Sequence, residues 1–160
     1  MQVLVLYYTR TGNTESLARA VAKGVESVTG VNALLKHAAQ VEDEDFLSSQ
    51  GIIAGSPVYY GSMASELKRV FDRTVGIRDQ MPDKVGAAFA TSGDLTGGKE
   101  TTILSILQFM LISGMIIVGD PMDATGHYGT ACAGEPDAKA LEYAGMLGAR
   151  VAQLVKKLGS

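Results

Sequence analysis

The chain has one cysteine, Cys132, among 160 residues, so it can form no internal disulfide and no cysteine-rich zinc site. It has no tryptophan and no excess of positive charge: 14 Lys and Arg stand against 17 Asp and Glu, for a net charge of −3. A nucleic-acid surface needs a basic stripe to neutralise phosphates, so that class of partner is set aside. No apolar run spans a bilayer. The nearest candidate, residues 103–118, is broken by Ser105, Gln108, Ser113 and Gly114 and falls short of the roughly 20 residues required. A buried helix, a glycine turn and a strand explain it better, and no membrane insertion is expected. No basic segment or cleavage site precedes the apolar opening at residues 1–5, which makes the cytoplasm the expected compartment. Repeats, low-complexity tracts and linkers are missing too, so residues 1–160 are expected to form one domain.

What is present is alternation. Residues 2–8 form a continuous apolar run that ends in a Thr/Gly/Asn cluster, as a strand buried on both faces does. Thr14, Leu17, Ala18, Val21, Ala22 and Val25 then recur at helical spacing. The same reading predicts strands at residues 31–36, 51–55, 85–90 and 115–118. It predicts helices at 63–74 and 99–113, a short helix in the acidic segment 42–45, a long loop at 119–135 and a last helix from Pro136. Five strands alternating with helices imply an α/β three-layer sandwich around a five-stranded parallel sheet. In such a sheet the ligand crevice lies beyond the carboxyl ends of the strands.

Three loops at those ends carry the chemistry. The first is Thr9, Arg10, Thr11, Gly12, Asn13 and Thr14, where hydroxyls, an amide and backbone N–H groups at a helix N-terminus can converge on a phosphate. A plain helix cap by Thr11 or Asn13 is the competing reading, but a cap needs one such residue and not a run. The second is Pro57, Val58, Tyr59, Tyr60 and Gly61, where a tyrosine pair offers a flat surface to a planar heterocycle and Gly61 lets the backbone come close. The third runs through Thr91, Ser92, Gly93, Asp94, Gly97 and Gly98. Gly93 to Lys99 spells most of a Walker A loop, but Glu100 replaces the hydroxyl that would bind magnesium, so nucleoside-triphosphate chemistry is set aside.

Together these segments resemble the flavodoxin-like FMN proteins, and most closely the WrbA-type NAD(P)H:quinone oxidoreductases. Thr9, Thr11, Gly12 and Thr14 complete a T-x-T-G-x-T phosphate loop, and residues 55–63 fit G-[ST]-P-x-x-[FY]-G-x-M. Phe89–Ser92, Gly97–Thr102 and Ser113–Val118 look like that family's flavin loop, helix and fifth strand. The resemblance implies strand order 2-1-3-4-5, FMN as cofactor and NADH or NADPH as donor. It also implies a quinone or similar small molecule as acceptor and a homo-oligomer, dimer or tetramer. Residues 9–14 would hold the phosphate, 57–61 line the flavin, and 91–98 contact the ring edge, with backbone N–H groups and not the Asp94 carboxylate facing it. There are departures. The segment between the second and third strands is short, the third loop is one residue longer, and Ile112 and Ser113 stand where that family tends to carry histidine. Hydride transfer to a flavin needs stacking and not a protein acid or base, so the lack of a catalytic triad is no obstacle. His127, in the long loop, is the candidate catalytic residue; Cys132 reads as an inert thiol.

Two functions stay open: an FMN-dependent NAD(P)H oxidoreductase, and a flavodoxin that carries single electrons between partner proteins. The near balance of acids and bases argues against the strongly acidic docking face of a carrier. A phosphoacceptor receiver would need acids at the ends of the first and third strands, and a dinucleotide-binding Rossmann domain a G-x-G-x-x-G loop after the first; both are absent.

Overall fold

The computed structural model describes residues 1–159. In chain order the elements are β1 (Gln2–Tyr7), α1 (Asn13–Glu26), β2 (Asn32–His37), α2 (Asp43–Leu47), β3 (Gly51–Pro57) and α3 (Ser65–Arg73). A 3₁₀ helix (Thr74–Gln80) follows, then β4 (Val85–Ser92), α4 (Lys99–Ile112), β5 (Ile116–Ile117), β6 (Thr130–Ala133) and α5 (Ala138–Leu158). The strands pair in parallel in the order β2-β1-β3-β4-β5, with β6 also paired to β4.

Period-two alternation along each central strand explains why both faces are covered. Leu4, Leu6, Ile52, Ala54, Ala88 and Ala90 face a core shared with α3 and α4. Their neighbours Val3, Val5, Ile53, Val85, Ala87 and Phe89 face the second core, under α1 and α5. Each fully buried Val, Leu or Ile contributes about 1.5–3 kcal/mol of transfer free energy. α1 and α5 cross at glycines: a Cβ on Gly24 would lie 1.9 Å from the Gly145 carbonyl oxygen, and one on Gly148 would lie 2.0 Å from that of Val21. This tight crossing fixes α1, and with it the loop from which α1 starts.

The fifth strand position is where expectation and structure differ. A single strand at 115–118 and a loop at 119–135 were expected. Instead β5 pairs only with Val85 and Gly86, and β6, inside the expected loop, pairs with Phe89–Ser92 further along the same edge. β6 reads Thr-Ala-Cys-Ala between Gly129 and Gly134, too small and mixed to register as an apolar run; pairing with β4 decides it. Between the two halves the chain makes an excursion built on Asp120, which is 2% exposed. Asp120 Oδ1 accepts from His127 N at 2.7 Å, and Oδ2 accepts from the backbone N–H and the hydroxyl of Thr125. Arg150 Nη1 donates to the carbonyls of Gly119 and Asp120 at 3.2 and 2.8 Å.

Two helix starts also move. α3 begins at Ser65 and not at 63, because Ala64 is extended and its N–H donates to Ser56 Oγ at 2.8 Å. α5 begins at Ala138, with Asp137 capping Ala140 N at 2.7 Å, so Pro136 lies ahead of the cap. The acidic segment folds as α2, closed by a capping box between Glu42 and Asp45.

Candidate functional site

The three loops meet beyond the carboxyl ends of β1, β3 and β4. Thr14 in the first is 1% exposed, and its Oγ1 lies 2.7 Å from Thr91 Oγ1 in the third. Two hydroxyls sharing one hydrogen bond use one proton, so the accepting hydroxyl keeps its own for another acceptor. Val58 N in the second loop donates to Thr91 O at 2.7 Å. A Cβ on Gly98 would lie 3.0 Å from Gly61 Cα, so the second and third loops pass almost in contact.

The first loop is shaped for an anion. Gly12, at φ 99°, is the N-cap of α1 and has no side chain to cap it; the capping by Thr11 or Asn13 weighed from sequence does not occur. The first helical bond is Ser16 N to Gly12 O at 2.9 Å, which leaves the amides of Asn13, Thr14 and Glu15 without an intrahelical acceptor. Thr9 Oγ1 takes Gly12 N at 3.0 Å, while the side chains of Thr11 and Asn13 have no hydrogen bond among the described residues. The helix dipole adds partial positive charge at the same point. The contrast with the rest of the chain is informative. α5 has a side-chain cap and α2 a capping box, whereas α1, α3 and α4, which leave β1, β3 and β4 at the crevice, have neither.

The second loop is a two-residue hairpin. Tyr59 and Ser62 exchange backbone bonds of 2.9 and 3.0 Å around Tyr60 at φ 50° and Gly61 at φ 76°, the type I′ turn. That turn favours Asn and Gly; a tyrosine in left-handed backbone costs about 1–2 kcal/mol. Its ring is also fully exposed, so burial returns none of that cost. A strained, exposed aromatic beside an open anion cradle is suited to stacking on a ligand ring. Tyr59 Oη is buried without a partner. In the third loop Ser92 Oγ and Gly97 N both donate to Asp94 O, at 2.6 and 3.2 Å, holding a compact turn from which the Asp94 side chain is exposed. Lys99 is bound back to Leu95 O at 2.6 Å, away from any phosphate role.

Two tyrosines at the end of β1 border the crevice. Burial, followed by the charge of Glu15, pushes the Tyr7 phenol above its usual range. A hydrogen bond to Glu66, followed by burial, does the same to Tyr8. Glu66 is held below the usual carboxylate range, first by its backbone hydrogen bond and against an opposing burial effect, with Tyr8 and Ser65 adding to the lowering.

Two residues singled out from sequence point elsewhere. His127 is exposed and lines a separate cavity of about 220 Å³ with Lys99, Glu100, Tyr128 and Tyr143; no residue of 9–14, 57–61 or 91–98 forms its wall. Arg10 lines a groove beside Tyr60 that also takes in Lys68, Ser105 and Gln108. Sequence reading passed over those three, because on α3 and α4 their spacing looks like ordinary helix surface.

A family model described as NADPH-dependent FMN reductase matches residues 38–129, a stretch that holds the second and third loops. The chain belongs to that family. Membership brings FMN as the cofactor and a reduced nicotinamide nucleotide as the class of donor. A flavodoxin of Aquifex aeolicus is 37% identical, covering 96% of this chain and 86% of its own. An NAD(P)H dehydrogenase (quinone) of Archaeoglobus fulgidus is 35% identical, covering 98% of both. Among solved structures, a flavodoxin, WrbA-like protein from Agrobacterium tumefaciens superimposes with a TM-score of 0.85 at 26% identity, covering 98% of both chains. The protein is thus flavodoxin-like, of the WrbA type, and the geometry fits the flavin. The amides and hydroxyls of residues 9–14 would hold its phosphate, Tyr60 would stack on its ring, and the 91–98 backbone would meet the ring edge. Among the described residues no helix is long and apolar enough to cross a membrane, and no acid, histidine and cysteine cluster could hold a metal.

Proposed function

We propose that residues 1–160 act as one FMN-holding domain that takes a hydride from NADH or NADPH and reduces a quinone or similar small acceptor. Bound flavin would supply the two-electron redox chemistry. The chain's part is to hold and orient: a neutral cradle for the phosphate, Tyr60 for the ring, and two loops that close the sides. The observation that carries the reading is the Tyr59–Ser62 hairpin, which holds Tyr60 in left-handed backbone with its ring exposed beside an uncapped helix. The quinone dehydrogenase among the relatives supports the acceptor class. The exposed apolar residues Val75, Leu104, Leu111 and Ile112 support a homo-oligomer, dimer or tetramer, that covers them. We place the protein in the cytoplasm.

The second reading, a carrier of single electrons, is favoured by the flavodoxin relative. Anaerobic addition of NADH or NADPH to the yellow protein separates the two. Prompt bleaching supports the oxidoreductase; a flavin that only dithionite or a partner protein reduces refutes it. Replacing Thr11 and Thr14 by alanine should weaken FMN by about 1.5–3 kcal/mol for each charge-assisted bond lost. Unchanged affinity in that double variant rejects the cradle.

A further inference from the structure

Two grooves meet on the outer side of α3 and α4. The first, of about 620 Å³, opens at Arg10 and Tyr60 and passes Met63 to reach Lys68, Ser105 and Gln108. The second, of about 390 Å³, shares Met63, Lys68, Ser105 and Gln108 and continues to Arg78. A continuous channel therefore leads away from the point where a flavin ring would lie.

The charges along the first groove are unbalanced. In a chain of net charge −3, its wall has two cations, Arg10 and Lys68, and no carboxylate. Arg10 has neither an ion pair nor a hydrogen bond among the described residues. Lys68 pairs with Asp72 at 2.5 Å, but both side chains are more than half exposed, and such a pair is readily exchanged for a stronger anion. The nearby Glu66 is engaged with Tyr8 and with Ser65 Oγ. Arg10, which is free of any acid, and Lys68, whose only acid is its exposed partner Asp72, lie next to amide and hydroxyl donors and match a ligand with two adjacent negative charges.

We propose that this groove seats the pyrophosphate of the dinucleotide donor, with Arg10 and Lys68 as its two cations. The inference rests on the oxidoreductase reading above and adds where the donor lies. A nicotinamide stacked on the flavin face that Tyr60 leaves free must carry its pyrophosphate past the ring edge onto a neighbouring wall, and the groove opens beside Tyr60. Arg10 thus belongs to the phosphate loop by sequence while its guanidinium serves a different phosphate. Because the pyrophosphate is common to both nucleotides, these cations set affinity for the donor without choosing between NADH and NADPH.

The test uses the oxidised FMN-loaded protein and the redox-inert probes NAD⁺ and NADP⁺, measured by calorimetric titration in wild type, Arg10→Gln and Lys68→Gln. Each substitution is expected to weaken both nucleotides about tenfold or more, as loss of one charge-assisted contact does. Added salt should weaken the wild type more steeply than either variant. Lys68→Gln should keep one FMN per chain. Unchanged nucleotide affinity in both variants overturns the proposal while leaving the oxidoreductase reading intact. Weakening of NADP⁺ alone also overturns it, because these cations would then read the 2′-phosphate. If wild type binds neither nucleotide and neither reduced donor bleaches it, the oxidoreductase reading itself fails.

Discussion

Two identical substitutions on one helix should move stability in opposite directions. Gly145 and Gly148 lie three residues apart on α5, where it crosses α1. Alanine at either gains about 1 kcal/mol of helix propensity. A Cβ at Gly145 would meet nothing nearer than Ala20 O at 3.7 Å, an ordinary contact. At Gly148 it would meet Val21 O at 2.0 Å, Val21 C at 2.9 Å and Val25 N at 3.0 Å, all backbone. Reaching ordinary contact would push the helices apart by more than about 1 Å, and a gap of that size already forfeits a quarter to half of each dispersion contact along the seam. Leu17, Val21, Leu147 and Val151 lie in the core that this seam closes. Overpacking of this kind costs about 1–3 kcal/mol, more when no side chain can turn aside, so the net loss should be about 2 kcal/mol. For a chain of this size that is a fall in Tm of roughly 4–8 °C for Gly148→Ala, against a rise of about 2–4 °C for Gly145→Ala. Thermal melts followed by circular dichroism on the flavin-free protein read both, since bound flavin would mask the difference. Shifts of the same sign in the two variants would refute the packing argument.

Three further outcomes follow from the site and its surroundings. Tyr60→Gly removes the left-handed tyrosine, so urea melts of the apoprotein should show stability unchanged or higher by up to about 1 kcal/mol. Fluorescence titration should meanwhile show FMN bound more weakly by about 0.5–1.5 kcal/mol as stacking is lost; a large loss of apoprotein stability contradicts the strain. Asp120→Asn leaves at least one part-buried donor among His127 N, Thr125 N and the Thr125 hydroxyl poorly met and should destabilise by about 1–2 kcal/mol, with protease nicking inside residues 121–128; a resistant loop rejects that role. Tyr7 and Tyr8 keep their protons above the ordinary value of 10.0, where the unfolded chain has begun to release them. Their contribution is therefore fully present below that pH and lost as pH rises through the folded-state values. Urea melts across this range should show stability falling, with a shallower fall in Tyr8→Phe; an identical slope would rule out the shift.

The central strands were legible because each is buried on both faces, so β1, β3 and β4 stand out as apolar runs whatever surrounds them. β6 was not, since nothing in Thr-Ala-Cys-Ala announces a strand until β4 offers its unpaired edge. The loops could be placed from sequence because their position follows from topology. Their inner workings could not. That Gly12 and not Thr11 or Asn13 caps α1, and that Tyr60 takes positive φ, are backbone facts settled by where Thr91 and Gly98 come to lie. Lys68, Ser105 and Gln108 show the same limit from the other side: polar residues on two separate helices become a groove only when the helices are neighbours.

The break in the outermost strand has a consequence for how this protein can vary. Its two halves are each registered on β4 independently, and the turn between them is pinned at its base by one buried carboxylate. Extra residues inserted near Asp123 would lengthen a closed surface bight at an entropic cost that grows only with the logarithm of its length. Every ladder in the sheet would stay in step. The fold thus offers a place where appendages can be grafted while the redox crevice is left as it is.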